Sequence, residues 1–318
     1  MDKPNNRTTY KVHSEYNDQR LDNFLIRELK GIPKSLLYKL IRKSKIKVNN
    51  KKSSPSYKLV TDDEILVFGQ ANSNNTAANV ASSSKKSFAW LEDHIIYEDN
   101  EVIVFNKPPG LAVHAGTGDF HGLIEMLRIQ RPELKALDLV HRLDKLTSGC
   151  LLIAKKRSSL RAFHEIFRER QVIKEYVAVV HGKWDLGDHR IELSLERTKQ
   201  YGLTRSVISK EGKPSVTQVK VIARNPRFSF LRIQLETGRL HQIRAHLSHL
   251  NFPIVGDPIY AGNEARLNKG RHDLKSRMYL HSKSLSFLEG KGIEMPKHLM
   301  APMSDDFINF LQRESLMD

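Results

Sequence analysis

The pattern of apolar and polar positions in the first 68 residues predicts two short helices followed by a small sheet. Apolar residues recur at helical spacing over residues 21–29 and again over residues 36–41. Pro33 lies just before the second run, where a helix start favours proline. Residues 46–48 alternate apolar and basic side chains as in a strand, and residues 65–68 form an apolar run that predicts a later strand.

Downstream of residue 88, short apolar runs alternate with polar turns. Five runs predict strands, at residues 102–105, 151–154, 176–180, 216–222 and 228–235. Three stretches predict helices, at residues 123–127, 158–169 and 241–250. Strands dominate and several look like hairpins, so we expect an α+β fold with a large mixed or antiparallel sheet. No dinucleotide-binding or phosphate-loop glycine motif follows any of these strands.

Residues 69–87 separate the two regions. They include a single bulky apolar residue, Val80, among Asn, Ser, Ala and Thr. Such a segment cannot bury a core and predicts a flexible linker. The chain is therefore divided into a small domain at residues 1–68, a linker at 69–87 and a larger domain at 88–318.

The net charge of the chain indicates what kind of partner it binds. The 318 residues include 52 Lys and Arg against 36 Asp and Glu, which leaves a net charge of +16. Such an excess favours a polyanionic partner, above all a nucleic acid. An anionic membrane surface is the alternative, but no basic amphipathic helix of the membrane-lying type is evident.

The remaining composition favours a soluble, cytoplasmic protein. The amino terminus lacks the apolar core of a signal peptide, and no run approaches 18 apolar residues. Cys150 is the single cysteine, so no intramolecular disulfide can form, which fits a reducing compartment. We expect no membrane association.

Positive charge is concentrated in the small domain. Residues 20–48 carry nine basic side chains and two acidic ones, a net charge of +7. A solvated charged face is the usual explanation of such a cluster, but charge of nearly one sign on one helix favours phosphate contacts. The candidate RNA-binding residues are Lys34, Lys39, Arg42 and Lys43.

The densest polar run of the chain, residues 139–149, reads LVHRLDKLTSG and precedes an apolar strand. Asp144 is flanked by basic residues that favour its ionised form. Thr147, Ser148 and Gly149 are typical turn residues, so we expect Asp144 on a loop at a sheet edge, where functional sites often lie. Taken alone, such an Asp could instead stabilise its own turn.

The same run resembles the catalytic motif H-R-L-D-x-x-T-S-G of the RluA family of pseudouridine synthases, and matches it at every specified position. Further segments resemble that family at residues 106–114, 174–176 (K-x-Y), 238–244 (G-R-x-H-Q-I-R) and 256–260. Residues 17–68 resemble the S4 RNA-binding domain, which would dock structured RNA. The resemblance covers nearly the whole chain.

The resemblance implies conversion of uridine to pseudouridine, with a catalytic Asp144 acting on a flipped-out nucleotide. It places Tyr176 against the uracil and pairs Arg244 with Asp144. It gives Arg142 the task of holding the nucleotide's surroundings open, with His141 lining the site. The other implied substrate or RNA contacts are Lys174, Arg239, His241 and Gln242. Whether Asp144 traps the sugar or deprotonates it stays open.

No cofactor and no metal are expected. His241, His246 and His249 suggest a metal site, but they form no H-E-x-x-H frame and lie near no cysteine cluster. A metal-dependent nuclease would need clustered carboxylates, and none accompany Asp144. A non-catalytic rRNA-binding assembly factor is a further alternative, against which the presence of Asp144, Tyr176 and Arg244 together argues.

Within the family, the chain is most similar to the RluC type, which acts on large-subunit (23S) rRNA. That assignment depends on the S4-like domain and on residues 113–118 and 124–128. An RluD-type rRNA synthase or a tRNA pseudouridine synthase is the alternative. The expected partner is large-subunit rRNA, and the expected oligomeric state is a monomer.

Overall fold

The computed structural model describes residues 7–29, 32, 34–68, 88–115, 122–200, 203–262, 277–288 and 295–317. The chain divides into two compact units, Met1–Ser87 and Phe88–Asp318. The predicted linker at residues 69–87 lies outside the described residues. None of the helices within the described ranges is long and apolar enough to cross a membrane.

The first unit combines two helices with an antiparallel sheet, as the sequence predicts. The sheet has the strand order β1-β4-β2-β3. Its elements are β1 (Arg7–Lys11), α1 (Leu21–Glu28), α2 (Lys34–Arg42), β2 (Ile46–Val48), β3 (Lys51–Lys52) and β4 (Glu64–Phe68).

One side of each helix in this unit forms the core. Leu21 and Leu25 of α1 are fully buried, as are Leu37 and Ile41 of α2, and they pack against the sheet. The spacing of these residues is that of one helix face, so the opposite face of α2 is left to solvent. Three of the four candidate RNA-binding residues, Lys39, Arg42 and Lys43, are exposed. The fourth, Lys34, begins α2, and its side chain is outside the described set.

The second unit is built on a sheet of ten strands. The sheet order is β10-β13-β14-β9-β15-β8-β6-β5, with β16 on β15 and β7 on β8, and β11 pairs separately with β12. The strands are β5 (Ile95–Glu98), β6 (Val102–Lys107), β7 (Asp138–Leu139), β8 (Ser148–Ala154), β9 (Val172–His181), β10 (His189–Glu192), β11 (Leu195–Gln200), β12 (Leu203–Ile208), β13 (Val216–Arg224), β14 (Phe228–Leu235), β15 (Leu280–Phe287) and β16 (His298–Met300). The helices are α3 (Leu123–Gln130), α4 (Arg157–Arg168), α5 (Gln242–His249) and α6 (Asp305–Arg313).

The helices cover both faces of this sheet. Along β6, Ile103 and Phe105 pack in one core with residues of α3 and α5, whereas Val102 and Val104 pack in another with residues of α4. This alternation is the period of two that a strand imposes. The α6 helix packs in a further core, against residues of β9 and β14. The predicted α+β class and mixed sheet are confirmed.

Among the described strands, β8 and β15 form the parallel pair of the large sheet, and the other neighbours are antiparallel. The expectation that residues 147–149 form a turn is wrong in part, because Ser148 and Gly149 already belong to β8 and pair with β15. Gly149 has a φ of +105°. A Cβ atom at Gly149 would lie 2.2 Å from the carbonyl oxygen of Ser282.

We predict that Gly149→Ala destabilises the protein by more than about 3 kcal/mol, because strained φ and steric overlap with backbone act together. Gly187 has a φ of +63°, and a Cβ atom there would meet no other atom within 4 Å. Gly187→Ala is therefore the matched control and should cost about 1 kcal/mol. Urea unfolding of both variants measures the difference. Equal losses of unfolding free energy in the two variants would mean that the close approach of β15 to Gly149 does not add to the destabilisation.

Candidate active site

Asp144 lies in a tight turn between β7 and β8. The backbone N–H of Thr147 donates to the carbonyl of Asp144 at 3.1 Å and closes this turn. The carbonyl of Lys145, next to Asp144, accepts from the backbone N–H of Gly110 at 2.9 Å and from Nζ of Lys107 at 3.1 Å. The turn is therefore held against the loop that follows β6.

Lys107 is a buried cation that links these two loops. Its Nζ also donates to the carbonyls of Pro108 and Leu111, each at 2.9 Å. Burial lowers the pKa of Lys107 to about 7. Three carbonyl acceptors require all three ammonium protons, so the geometry favours the charged form. Lys107 therefore has a structural part, because it joins the Asp144 turn to the loop that follows β6.

Arg244, on α5, binds two carboxylates at once. Its Nη1 donates to Oδ2 of Asp144 at 3.0 Å. Its Nε and Nη2 form a fork with the two oxygens of Asp257, at 2.7 and 2.9 Å. The structure thus brings Arg244 and Asp144 together as predicted, and it adds a second acid that the sequence did not suggest as a partner.

Asp257 fixes the guanidinium of Arg244. The Asp257 side chain is fully buried, and its Oδ1 also accepts from the backbone N–H groups of Ile259 and Tyr260, at 2.8 and 3.0 Å. Burial alone would lower the pKa of Arg244, but Asp257 and Asp144 raise it above its usual range. The guanidinium is therefore charged, and its Nη1 is directed at Asp144.

His241 approaches Asp144 from the start of α5. It adopts a left-handed conformation, with φ of +50°, directly before the helix. Its Nε2 lies 3.7 Å from Oδ2 of Asp144, and its Nδ1 lies 3.2 Å from the hydroxyl of Tyr260. Burial lowers the pKa of His241, so the ring is neutral at neutral pH.

Tyr260 sets the tautomer of that ring. Its hydroxyl donates to the carbonyl of Ser206 at 3.0 Å and accepts from the backbone N–H of Ser206 at 2.8 Å. Because the hydroxyl proton is committed to Ser206, Nδ1 of His241 is the donor in its contact with Tyr260. The unprotonated Nε2 then faces Asp144. Ser206 also docks the β11–β12 hairpin, since its Oγ donates to the carbonyl of Leu240 at 2.5 Å.

Asp144, Tyr176 and Arg244 line one open cavity of about 310 Å³. Its volume is in the range of small-ligand sites. Apolar wall residues include Leu143, Leu235, Ile243 and Leu280, and the cations beside Asp144 are Arg142, Arg197, Arg239 and Arg244. Tyr176, on β9, is buried, and burial raises its pKa to about 12. The hydroxyl is therefore protonated at neutral pH.

The prediction that His141 lines the cavity is wrong. The Nε2 of His141 accepts the backbone N–H of Leu152 at 3.1 Å, and its ring stacks on Phe167 of α4 with ring centroids 5.2 Å apart. Burial, with a smaller effect of Lys174, lowers the pKa of His141 to about 3. Lys174 is half-buried on β9 and, like His141, is not part of the cavity wall.

Gln242 lies at the cavity, but its amide is occupied by the protein. The Oε1 atom accepts from Thr237 Oγ1 and the backbone N–H of Arg239, and Nε2 donates to the carbonyl of Val216 and to Thr217 Oγ1, at distances of 2.8–3.0 Å. These four bonds brace the loop that carries Arg239 and His241. A direct substrate contact by this amide, which the sequence predicted, would break one of them.

Arg197 is the cationic wall residue that sequence reasoning missed. It lies on β11, is exposed, and faces the cavity together with Arg142 and Arg239, which are exposed as well. Its position depends on the docking of the hairpin through Ser206. No spacing in the sequence relates Arg197 to Asp144.

The three candidate metal-binding histidines do not converge. His246 is fully buried, and its ring nitrogens contact Thr217 Oγ1 at 3.0 Å and Ser215 Oγ at 2.9 Å. His249 is exposed at the end of α5. Within the ranges that the structure describes, no group of three or more His, Cys, Asp or Glu side chains is placed to hold a metal ion.

Comparison with known proteins identifies the fold and chemistry. A family model described as RNA pseudouridylate synthase matches residues 101–249, and a model of the S4 domain matches residues 19–65. Ribosomal large subunit pseudouridine synthase C of Escherichia coli strain K12 is 41% identical over 93% of this chain and 92% of that protein. The chain belongs to the RNA pseudouridine synthase family. The enzyme thus isomerises uridine in RNA to pseudouridine.

Other similar proteins are also named as pseudouridine synthases. The protein of the same name from Haemophilus ducreyi is 41% identical over 87% of this chain and 86% of its own length, and that from Vibrio vulnificus is 38% identical over 92% of each. Among solved structures, human RNA pseudouridylate synthase domain containing 4 superposes on the synthase with a TM-score of 0.58 and 26% identity, covering 75% of this chain and 97% of the human chain.

We predict that Asp257→Asn destabilises the enzyme by about 3–5 kcal/mol, because it leaves a buried guanidinium without its principal counter-charge. The control is Asp188→Asn, which breaks an exposed 3.5 Å pair with Lys220 and should cost less than about 1 kcal/mol. Urea unfolding measures both. If Asp257→Asn costs no more than the control, Arg244 does not depend on Asp257.

Proposed function

We propose that this synthase modifies specific uridines of large-subunit ribosomal RNA, with Asp144 as the catalytic carboxylate. The observation that carries the proposal is the arrangement of Asp144 on Arg244 inside a cavity walled by Tyr176. The relatives with 38–41% identity are all named for the ribosomal large subunit. An RluD-type target set or a tRNA target would be the alternative outcome of the experiment below.

The reaction requires one carboxylate. The N1–C1′ bond of the uridine breaks, the uracil turns, and a C5–C1′ bond forms, while N1 gains a proton and C5 loses one. Among the described residues that line the cavity, Asp144 is the single carboxylate, whereas a glycosidase would need a second one to activate water. Asp144 is placed to stabilise or trap the sugar cation, or to remove a sugar proton.

The surroundings of Asp144 suit this chemistry. Arg244 pairs with the carboxylate and orients it without offering it a proton, because the pKa of Arg244 is raised by the two acids it binds. Tyr176 offers an aromatic face for the uracil and a hydroxyl that stays protonated. A nucleotide that fills the cavity against its apolar walls would displace water, which would otherwise hydrolyse the opened sugar.

The cations at the cavity fit a flipped-out nucleotide. Arg142, Arg197 and Arg239 are exposed there, and guanidinium groups suit the phosphates on either side of an extruded uridine. The proposed RNA contacts of the first unit, Lys34, Lys39, Arg42 and Lys43, would bind the backbone of structured rRNA. The proposed substrate class supports a cytoplasmic location, and we propose that the enzyme acts as a monomer.

We predict that Asp144→Asn abolishes modification while rRNA binding stays nearly unchanged, because the amide keeps the shape of the side chain but loses its charge. Pseudouridine mapping by carbodiimide labelling and primer extension compares cells lacking this protein with cells restored by wild type, Asp144→Asn or the control Asp188→Asn. Primer-extension stops that return only in cells restored by wild type or by Asp188→Asn would support the proposal. Their positions would identify the modified uridines. Stops that return with Asp144→Asn would exclude this carboxylate.

A second prediction concerns the exposed face of α2. Combined replacement of Lys39, Arg42 and Lys43 by Ala should weaken rRNA binding and flatten its dependence on salt, by about two in the slope of log affinity against log salt. The control variant replaces Lys11 and Lys58, which already pair with Asp62 and Asp18. Filter binding at several salt concentrations measures both, and equal slopes in wild type and the triple variant would rule out phosphate contacts by Lys39, Arg42 and Lys43.

A further inference from the structure

A buried polar cluster lies behind the Asp144 turn, outside the cavity. Its centre is Arg277, whose side chain is 2% exposed. The Nη2 of Arg277 donates to Oγ of Ser148 at 2.9 Å, and Nη1 donates to Oγ of Ser304 at 2.6 Å and to Oδ1 of Asp306 at 2.8 Å. Neither Arg277 nor Ser148 lines the cavity, so the proposed chemistry leaves this cluster without a function.

The donor and the acceptor of the hydrogen bonds at His281 and Ser148 can be assigned without conflict. The Nε2 of His281 contacts the carbonyl of Ala301 at 3.0 Å and must donate to it, so Nδ1 is the acceptor of the neutral ring. Burial lowers the pKa of His281 to about 4, which keeps the ring neutral at neutral pH. Ser148 therefore accepts from Arg277 and donates to Nδ1 of His281, 3.0 Å away. Both hydrogen-bonding functions of this hydroxyl are occupied.

Arg277 also links the cluster to the C-terminal helix. Ser304 precedes α6 and Asp306 lies in its first turn, where the helix dipole favours a negative charge. Burial would raise the pKa of Asp306, but Ser304 and Arg277 lower it below its usual value. The guanidinium lies 5.0 Å from the ring of Phe307, measured to its centroid. A buried cation held on these sides has little freedom to move.

Ser148 is the first residue after the Asp144 turn whose side chain is fixed in this way. The turn itself ends at Thr147, and Gly149 has no side chain to anchor it. Inside the turn, Lys107 and Gly110 hold the carbonyl of Lys145. The chain is therefore held at two points after Asp144, at Lys145 within the turn and at Ser148 directly beyond it, and Arg277 provides the second of these contacts.

We propose that Arg277 is a positioning residue for Asp144, acting through Ser148, and that Asp306 makes the C-terminal helix part of this positioning. The inference rests on the proposed catalytic role of Asp144. A displacement of a reacting group by about 1 Å can lower a rate by a large factor. Loss of the Ser148 contact should therefore lower the turnover rate more than substrate binding.

The test measures kcat and KM by release of tritium from rRNA that carries [5-³H]uridine, prepared from cells lacking this protein. Release reports the reaction because C5 loses its hydrogen when it bonds to C1′. We expect Ser148→Ala and Arg277→Gln each to lower kcat about tenfold with KM nearly unchanged. The double variant should be no worse than the more impaired single variant, because both remove the same contact.

Two further variants refine the measurement. Arg277→Lys keeps the charge and should recover part of the lost kcat, and Asp306→Asn should lower kcat about threefold because Ser304 still binds the guanidinium. The matched control is Arg131→Gln, which removes an arginine that pairs with Glu92 and Glu98 in the same unit. It should lower the unfolding temperature without changing kcat.

The outcomes separate this inference from the proposed function. Full kcat in Ser148→Ala, with Asp144→Asn inactive in the same assay, overturns the positioning role and leaves Asp144 catalytic. Activity in Asp144→Asn overturns the proposed function itself. If Arg277→Gln does not fold, Ser148→Ala and Asp306→Asn decide the question. Additive losses in the double variant would mean that Arg277 acts by another route, and the inference would be rejected.

Discussion

The fork between Arg244 and Asp257 is the interaction on which the site depends. One guanidinium is held by a fully buried carboxylate on two of its donors and offers a third donor to Asp144. Two acids and one base leave a net charge of −1, and the partly exposed acid is the one that faces the cavity. Burial of the other acid is tolerable because two backbone N–H groups add to its pairing with Arg244.

Around this fork, the residues that hold Asp144 in place and the exposed arginines of the cavity wall belong to different elements. The buried residues Lys107 and Arg277 hold the chain that follows Asp144 at two points, Lys145 and Ser148. The exposed arginines of the cavity wall, by contrast, lie on loops or on the separate β11–β12 hairpin. The carboxylate and these cations thus have different supports, which suits the proposed division between a fixed reacting group and RNA contacts that adapt.

Sequence reasoning predicted the architecture well, because periodicity and turn residues are local signals. It also pointed to Asp144, Tyr176 and Arg244, whose motif spacing is specific and which line one cavity. Periodicity alone would predict only that Tyr176 belongs to a core, as it also does. It failed for His141, because adjacent residues of an extended segment point to opposite sides and the sequence does not say which side faces the cavity. Arg197 and the fork of Asp257 arise from contacts between distant segments, and local patterns carry no information on these.

The parallel pairing of β8 with β15 has a consequence for biosynthesis. Residues 148–149 find their strand partner at residues 281–282, more than a hundred positions later in the chain. Contacts of such sequence separation form late in folding, since a long loop must close before they stabilise anything. A nascent chain that ends before β15 would carry Asp144, Arg244 and Asp257 but lack the strand that fixes the start of β8. We therefore expect competence to modify RNA only after β15 has been synthesised and has paired with β8.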